Sequence, residues 1–343
     1  MGFLFLLCVW PLWACAQTAS KKEKRYLVPN DYMADPAAHV FNGRLYIYPS
    51  HDWESNTPET DKGDHFNMKD YHVFSTDDVM HGEIKDHGVV LKTEDIPWAG
   101  RQLWDCDIAE KAGKYYLYFP LKDRNDIFRL GVAIGDTPYG PFTPQSDPIK
   151  GSYSIDPAVF KDDDGSYYMY FGGLWGGQLQ RYRDNKALEG SVLPKRDDQA
   201  LPSRVVKLRD DMLEFAEEPK AVVVLDENGK PLTAGDNSRR FFEASWMHKY
   251  KGKYYFSYST GDTHLICYAI GDNPYGPFTY QGVILTPVVG WTTHHSIVEY
   301  KGKWYLFYHD SAPSEGKTWL RSIKVCELEY DADGKIVTID GMD

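Results

Sequence analysis

The sequence predicts an all-β fold, a five-bladed β-propeller, and three observations carry that expectation. The chain of 343 residues holds 25 Tyr, 16 Phe and 10 Trp, and aromatic residues favour strands. One hairpin pattern occurs five times along it. No long stretch keeps a helical period, which argues against a barrel of alternating strands and helices.

The five hairpins read "VFNGRLYIYPS" at 40, "EKAGKYYLYFP" at 110, "KDDDGSYYMYFGG" at 161, "KYKGKYYFSYST" at 249 and "EYKGKWYLFYHD" at 299. Each has a polar turn closed by glycine (Gly43, Gly113, Gly165, Gly252, Gly302), the residue a tight turn with positive φ prefers. Each continues in an alternating strand with one buried face. The turn glycines are 70, 52, 87 and 50 residues apart, and about fifty residues suits a four-stranded blade. A second repeat agrees: "LGVAIGDTPYGPFTPQ" from 130 and "ICYAIGDNPYGPFTYQ" from 266 each read as an outer strand and a Pro-Gly turn. The two long intervals need insertions. Residues 183–238, charged and without strong aromatic alternation, supply one, and 51–70 reads as a long loop. No linker divides the chain, so one propeller domain is expected over 25–340.

Residues 1–16 are apolar and end in small residues, as in a secretory signal. Cleavage after Ala16 and lipidation at Cys15 are both open, so export to the periplasm or medium is expected, with or without a lipid anchor. No later run is apolar enough to span a membrane. The remaining cysteines, Cys106, Cys267 and Cys326, have no metal spacing and read as buried thiols. A formal net charge of -12 excludes a nucleic-acid partner, which needs clustered Lys and Arg.

Counting back eight or nine residues from each turn glycine gives Asp35, Asp105, Asp156, Glu243 and His294. If the strand that follows is the innermost of its blade, all five side chains converge at one mouth of the central channel. Clustered ionisable groups in a cleft mark function. Asp, Asp and Glu supply the roles that glycoside hydrolysis needs: a base, an acid, and a carboxylate that raises the acid's pKa.

With those residues in hand, the sequence resembles glycoside hydrolase family 43 through "ADPAAHVFNGRLYIYPSHD", "YSIDPAVF", "FFEASWMHKYKGKYYFSYS" and "THHSIVEYKGKWYLFYHD". Within it, "DIPWAGRQLWDCD" and "YFGGLWGGQLQRY" are similar to the Bacteroides-type bifunctional β-xylosidase/α-L-arabinofuranosidases. The resemblance implies a five-bladed propeller with an inverting mechanism. It implies Asp35 as general base, Glu243 as general acid and Asp156 as modulator and orienter of Glu243. It implies no required cofactor, but a water-shelled calcium ion in the channel beside His294. His295 competes for that position, and the count from the glycine favours His294. Trp104, Trp175, Trp246 and Trp291 are candidate sugar platforms, Trp175 first because glycines flank it. Arg321 resembles an arginine that exo-acting members aim at the sugar.

The expected substrate is a plant cell-wall oligosaccharide or polysaccharide, cleaved to terminal xylose or arabinofuranose. Two alternatives remain at this stage: an arabinan- or galactan-directed member of the family, and an inert carbohydrate-binding propeller.

Overall fold

Asn42 and Gly43 both take positive φ (51° and 76°), and so do the pairs Ala112–Gly113, Lys251–Gly252 and Lys301–Gly302. Two consecutive left-handed residues make the tight turn whose twist matches that of the flanking strands. The third hairpin differs. Asp162 N–H donates to Ser166 O across Asp163, Asp164 and Gly165, of which only the glycine is left-handed, with φ 82°. Its extra aspartates are the residues that lengthen this turn.

The computed structural model describes residues 22–190, 192–291 and 294–342. The segment 1–16, with Cys8 and Cys15, lies outside them. Among the described residues no helix is long and apolar enough to cross a membrane.

The hairpins seed five sheets, antiparallel but for one short edge strand, arranged as the blades of a propeller. The innermost strands are Met33–Phe41, Asp107–Lys111, Ala158–Lys161, Glu243–Tyr250 and His295–Tyr300. Neighbouring inner strands touch in cyclic order, the last against the first. Closure is made by the N-terminal strand Lys24–Tyr26, which pairs with Ser322–Leu328 on the outside of the last blade. That pairing leaves no gap between the first blade and the last, and apolar side chains of both (Leu45, Phe74, Phe307, Val325) share one cluster. Burial of such side chains stabilises the fold by about 1.5–3 kcal/mol each.

The segment 183–238 is more than an insertion. It holds Ser203–Lys207 and Lys220–Val222, the outer strands of the third blade, and Val224–Leu225, which runs parallel to the edge of the fourth. Those strands are short and mix Val with Lys and Arg, so they lack the aromatic alternation that marks the inner hairpins. Within 51–70, Arg44–Trp53 runs further than a loop would allow, and Asn67–Met68 pairs back onto it. Cys106, Cys267 and Cys326 are buried and free.

Candidate active site

The same irregularity recurs where three of the five inner strands begin. In the first blade, Ala34 faces Ser50 and Ala37 faces Tyr48, so three steps on the inner strand match two on its partner. In the fourth, Glu243 faces Ser259 and Trp246 faces Ser257. In the third, Gly172 N–H reaches Ile155 O while Ala158 faces Tyr170. Each is a β-bulge of one residue, which bends the strand and re-aims a side chain. The left-handed residues lie at these bulges: Asp35 (φ 48°), Asp156 (φ 59°) and Ala244 (φ 60°). Asp adopts this conformation more readily than most residues. Pro36, with no N–H to donate, suits the unpaired position beside Asp35.

Asp35, Asp156 and Glu243 come from these bulges, and Asp105 and His294 from the approaches to the other two inner strands, to line one cavity of about 190 Å³. Trp104, Trp175, Trp291 and Arg321 line it too. Trp246 does not: it is buried in the core among the blades, and its indole N–H donates to Ile297 O at 3.0 Å. Of the adjacent histidines, His294 faces the cavity. His295 is fully buried below it, with Nε2 2.6 Å from Ser257 Oγ.

Asp35 is the most heavily held of the carboxylates that line the cavity. Ser50 Oγ donates to Oδ2 at 2.6 Å, Arg321 Nη1 donates to Oδ1 at 2.8 Å, and His294 Nδ1 stands 3.6 Å from Oδ1. Behind it, Asp35 N–H donates to His309 Nδ1 at 3.1 Å. Burial by itself would raise the Asp35 pKa. The Arg321 guanidinium outweighs it, helped by His294 and the Ser50 hydroxyl, and holds the carboxyl well below the usual range. Arg321 is clamped in turn by Asp52, through Nε to Oδ2 at 2.8 Å and Nη2 to Oδ1 at 2.7 Å. Burial pushes Asp52 up to about 6 against the pull of Arg321.

Glu243 is governed by the opposite balance. Burial and then the negative charges of Asp156 and Asp35 drive its pKa well above the ordinary value, with Arg321 opposing. A carboxyl so placed keeps its proton near neutral pH. Asp156 Oδ2 accepts from Ala244 N–H at 2.6 Å, which ties it to the bulge that carries Glu243. The surroundings thus favour the ionised form of Asp35 and the protonated form of Glu243, the contrast that acid–base chemistry needs.

Asp105 stands apart. It is buried, and neither of its oxygens has a hydrogen bond of good geometry among the described residues, although the amide and carboxyl of Asp156 stand close enough to act on it. Burial and the proximity of Asp156 drive its pKa well up. Asp105, Asp156 and His294 each offer a ligand atom, all within 4.8 Å of one another. Either a proton shared between the carboxyls or a bound cation relieves this crowding.

The segment between Trp53 and Asn67 walls one side of the cavity. Gln102 Nε2 donates to Gly63 O at 2.8 Å, and Trp104 Nε1 to Phe66 O at 3.2 Å. Gly63 lies flat on the Trp104 ring, where a Cβ would come within 2.7 Å. On the far side Trp175 (φ 52°) packs against Trp291 and Phe242, with ring centroids 5.5 and 5.1 Å away. Gly176 reaches across to the Lys62 carbonyl, so the two walls touch.

Asp52, Ser50, His309 and Phe66 did not stand out in the sequence. One signal was available. The first and last hairpins both end in His-Asp, at 51–52 and 309–310, where the second strand rises to the cavity.

The sequence pattern of glycosyl hydrolases family 43 matches residues 24–336. A xylosidase/arabinosidase of Bacteroides ovatus is 79% identical over 94% of this chain and 99% of its own. The solved structure of RS223-beta-xylosidase superposes with a TM-score of 0.93 at 76% identity, covering 94% of this chain and 99% of that one. CoXyl43, a beta-xylosidase/alpha-arabinofuranosidase from a compost microbial metagenome solved with xylotriose in calcium-free form, superposes with a TM-score of 0.90 at 63% identity, covering 94% and 98%.

Proposed function

The chain belongs to glycosyl hydrolases family 43 and is a glycoside hydrolase, and we propose that it is an exo-acting, inverting β-xylosidase/α-L-arabinofuranosidase. Its substrates are the terminal xylose or arabinofuranose residues of xylan, arabinoxylan or their oligosaccharides. The observation that carries the chemistry is the opposed electrostatics of Asp35 and Glu243 in one cavity. The walls made by 59–68 and by Leu174–Gly177 favour a pocket for a chain end over an open groove. The relatives' names and the xylotriose bound by CoXyl43 support the sugar class.

In the proposed mechanism, ionised Asp35 takes a proton from water as the water oxygen attacks the anomeric carbon. Protonated Glu243 gives its proton to the departing glycosidic oxygen. The bond to the leaving group breaks as the bond to water forms, and the configuration inverts. Such a pair stands about 6.5–9.5 Å apart, to admit the water. Asp156 steers Glu243 through the Ala244 amide and keeps its pKa high. Arg321 holds Asp35 ionised and in place, and Trp175 and Trp291 offer faces for the sugar.

The donor set also fits a channel cation. Asp105 has two oxygens without a hydrogen bond of good geometry, and Asp156 and His294 stand beside it. Oxygen-rich surroundings with a single imidazole suit a hydrated calcium ion. When bound, it would supply fixed positive charge that lets Asp105 and Asp156 be ionised together. Export through the segment 1–16 belongs to the same proposal, since a cell-wall polymer lies outside the cell.

The test is hydrolysis of paired aryl β-D-xylopyranoside and α-L-arabinofuranoside substrates by the wild type and by Asp35→Ala. Activity on either that disappears in the folded variant is expected, and the ratio measures the dual specificity. A folded wild type inert on both sinks the substrate assignment. Activity that survives in Asp35→Ala sinks Asp35 as base.

A further inference from the structure

On the strand Arg44–Trp53, alternate side chains point to opposite faces. Ser50 and Asp52 face the cavity and hold Asp35 and Arg321. His51 faces the other way. There it meets the next strand of the blade, Asp70–Thr76, on which Asp70 and His72, two residues apart, share a face. His51, Asp70 and His72 each present a ligand atom, all within 4.8 Å of one another. His51 Nδ1 and Asp70 Oδ1 share a hydrogen bond of 2.6 Å, whose proton a metal ion would displace, and the two imidazoles meet edge to face at 5.2 Å.

Around this trio stands a second layer of carboxylates. Asp31 Oδ1 is 3.4 Å from His51 Nε2, and Asp86 Oδ1 and Oδ2 are 3.1 and 3.2 Å from His72 Nδ1. A carboxylate on the far nitrogen of an imidazole fixes its tautomer and orientation for a metal. His51 and Asp70 are buried, while His72 is partly open to solvent, which leaves room for water as a further ligand.

We propose that His51, Asp70 and His72 form a cation site on the outer side of the first blade, separate from the cavity. Two imidazoles and one carboxylate select a borderline transition ion such as Zn²⁺ over calcium or magnesium, which require oxygen donors. The ion clamps the end of the strand that carries Ser50 and Asp52. It is thus a structural device on the strand that seats Arg321 against Asp35, and it takes no part in the reaction.

The experiment counts metal. Protein stripped with chelator is titrated with Zn²⁺ by calorimetry and with Co²⁺ by visible absorption, for the wild type and for His72→Ala. His72→Gln serves as a second variant if the alanine form does not fold. The wild type is expected to take up one equivalent more than the variant, with a Co²⁺ band that the variant lacks. Zn²⁺ should raise the Tm of the wild type more than that of the variant. Any ion at Asp105, Asp156 and His294 contributes equally to both proteins and cancels. Equal uptake by wild type and folded variant, or no uptake by the wild type, overturns the proposal.

Discussion

Arg321 and Asp35 lie 286 residues apart in the chain and are joined by one hydrogen bond, Nη1 to Oδ1, of 2.8 Å. Two further N–H groups of the guanidinium donate to Asp52, so the arginine is a fixed charge and not a mobile arm. Removing it leaves two buried carboxylates without their shared counter-ion. Arg321→Gln is expected to cost about 3–5 kcal/mol of stability. It should also raise the Asp35 pKa, so that the acid limb of the kcat/KM profile moves to higher pH. A thermal melt and a pH–rate series check both. An unmoved acid limb in folded protein would contradict the role given to this contact.

Glu243→Gln keeps the shape of the acid and removes its proton. Loss of a general acid costs about 10²–10⁴ in rate. The loss should be largest for xylobiose, whose leaving group needs protonation, and smallest for aryl glycosides with acidic phenols. Equal losses across a leaving-group series would exclude Glu243 as the acid.

Asp156 raises the Glu243 pKa by like charge, second only to burial. In Asp156→Asn the acid loses its proton at lower pH, so the alkaline limb of kcat/KM should shift down. The limb is read on an aryl xyloside over a broad pH range, and a limb that stays where it was would reject this coupling.

Asp105 gives a prediction for stability. Its folded pKa is raised above the unfolded value of about 3.9. Stability present below the unfolded pKa is therefore lost as pH rises towards the folded one. In chelator, the Tm difference between Asp105→Asn and wild type should grow in the variant's favour across that window. Calcium should then raise the wild-type Tm and leave the variant's unchanged. A Tm difference independent of pH would remove the argument for a strained carboxyl.

Trp246 and Trp175 should separate cleanly. Trp246→Phe loses the bond to Ile297 O, worth about 1 kcal/mol, and its kinetics should match the wild type. Trp175→Ala removes a cavity wall and should raise KM with less effect on kcat. Steady-state kinetics beside a melt distinguish the two, and the reverse pattern would relocate the sugar platform.

Inversion is read directly by NMR of the first-formed sugar. A β-xyloside should release α-xylose before mutarotation. Release of the β anomer would require a covalent intermediate and carboxyls about 5 Å apart.

Much of this architecture is local and therefore legible along the chain. The turn glycines need left-handed φ, the strands after them alternate, and a shared count ahead of each turn picks out Asp35, Asp105, Asp156, Glu243 and His294. Those features depend on neighbours a few residues away, which a repeat reveals. The outer strands within 183–238 were hidden because edges of a blade are short and half-solvated, so nothing forces an aromatic alternation on them. Trp246 looked like Trp104 in the sequence, since alternation states that a side chain is on one face but not what that face meets. The pairing of the site's charges was beyond any local pattern. Arg321 and His309 reach Asp35 only because Lys24–Tyr26 pairs with Ser322–Leu328 and closes the ring. Closure sets the distances between charges, and those distances, in a buried cavity, decide which carboxyl keeps its proton and which gives it up.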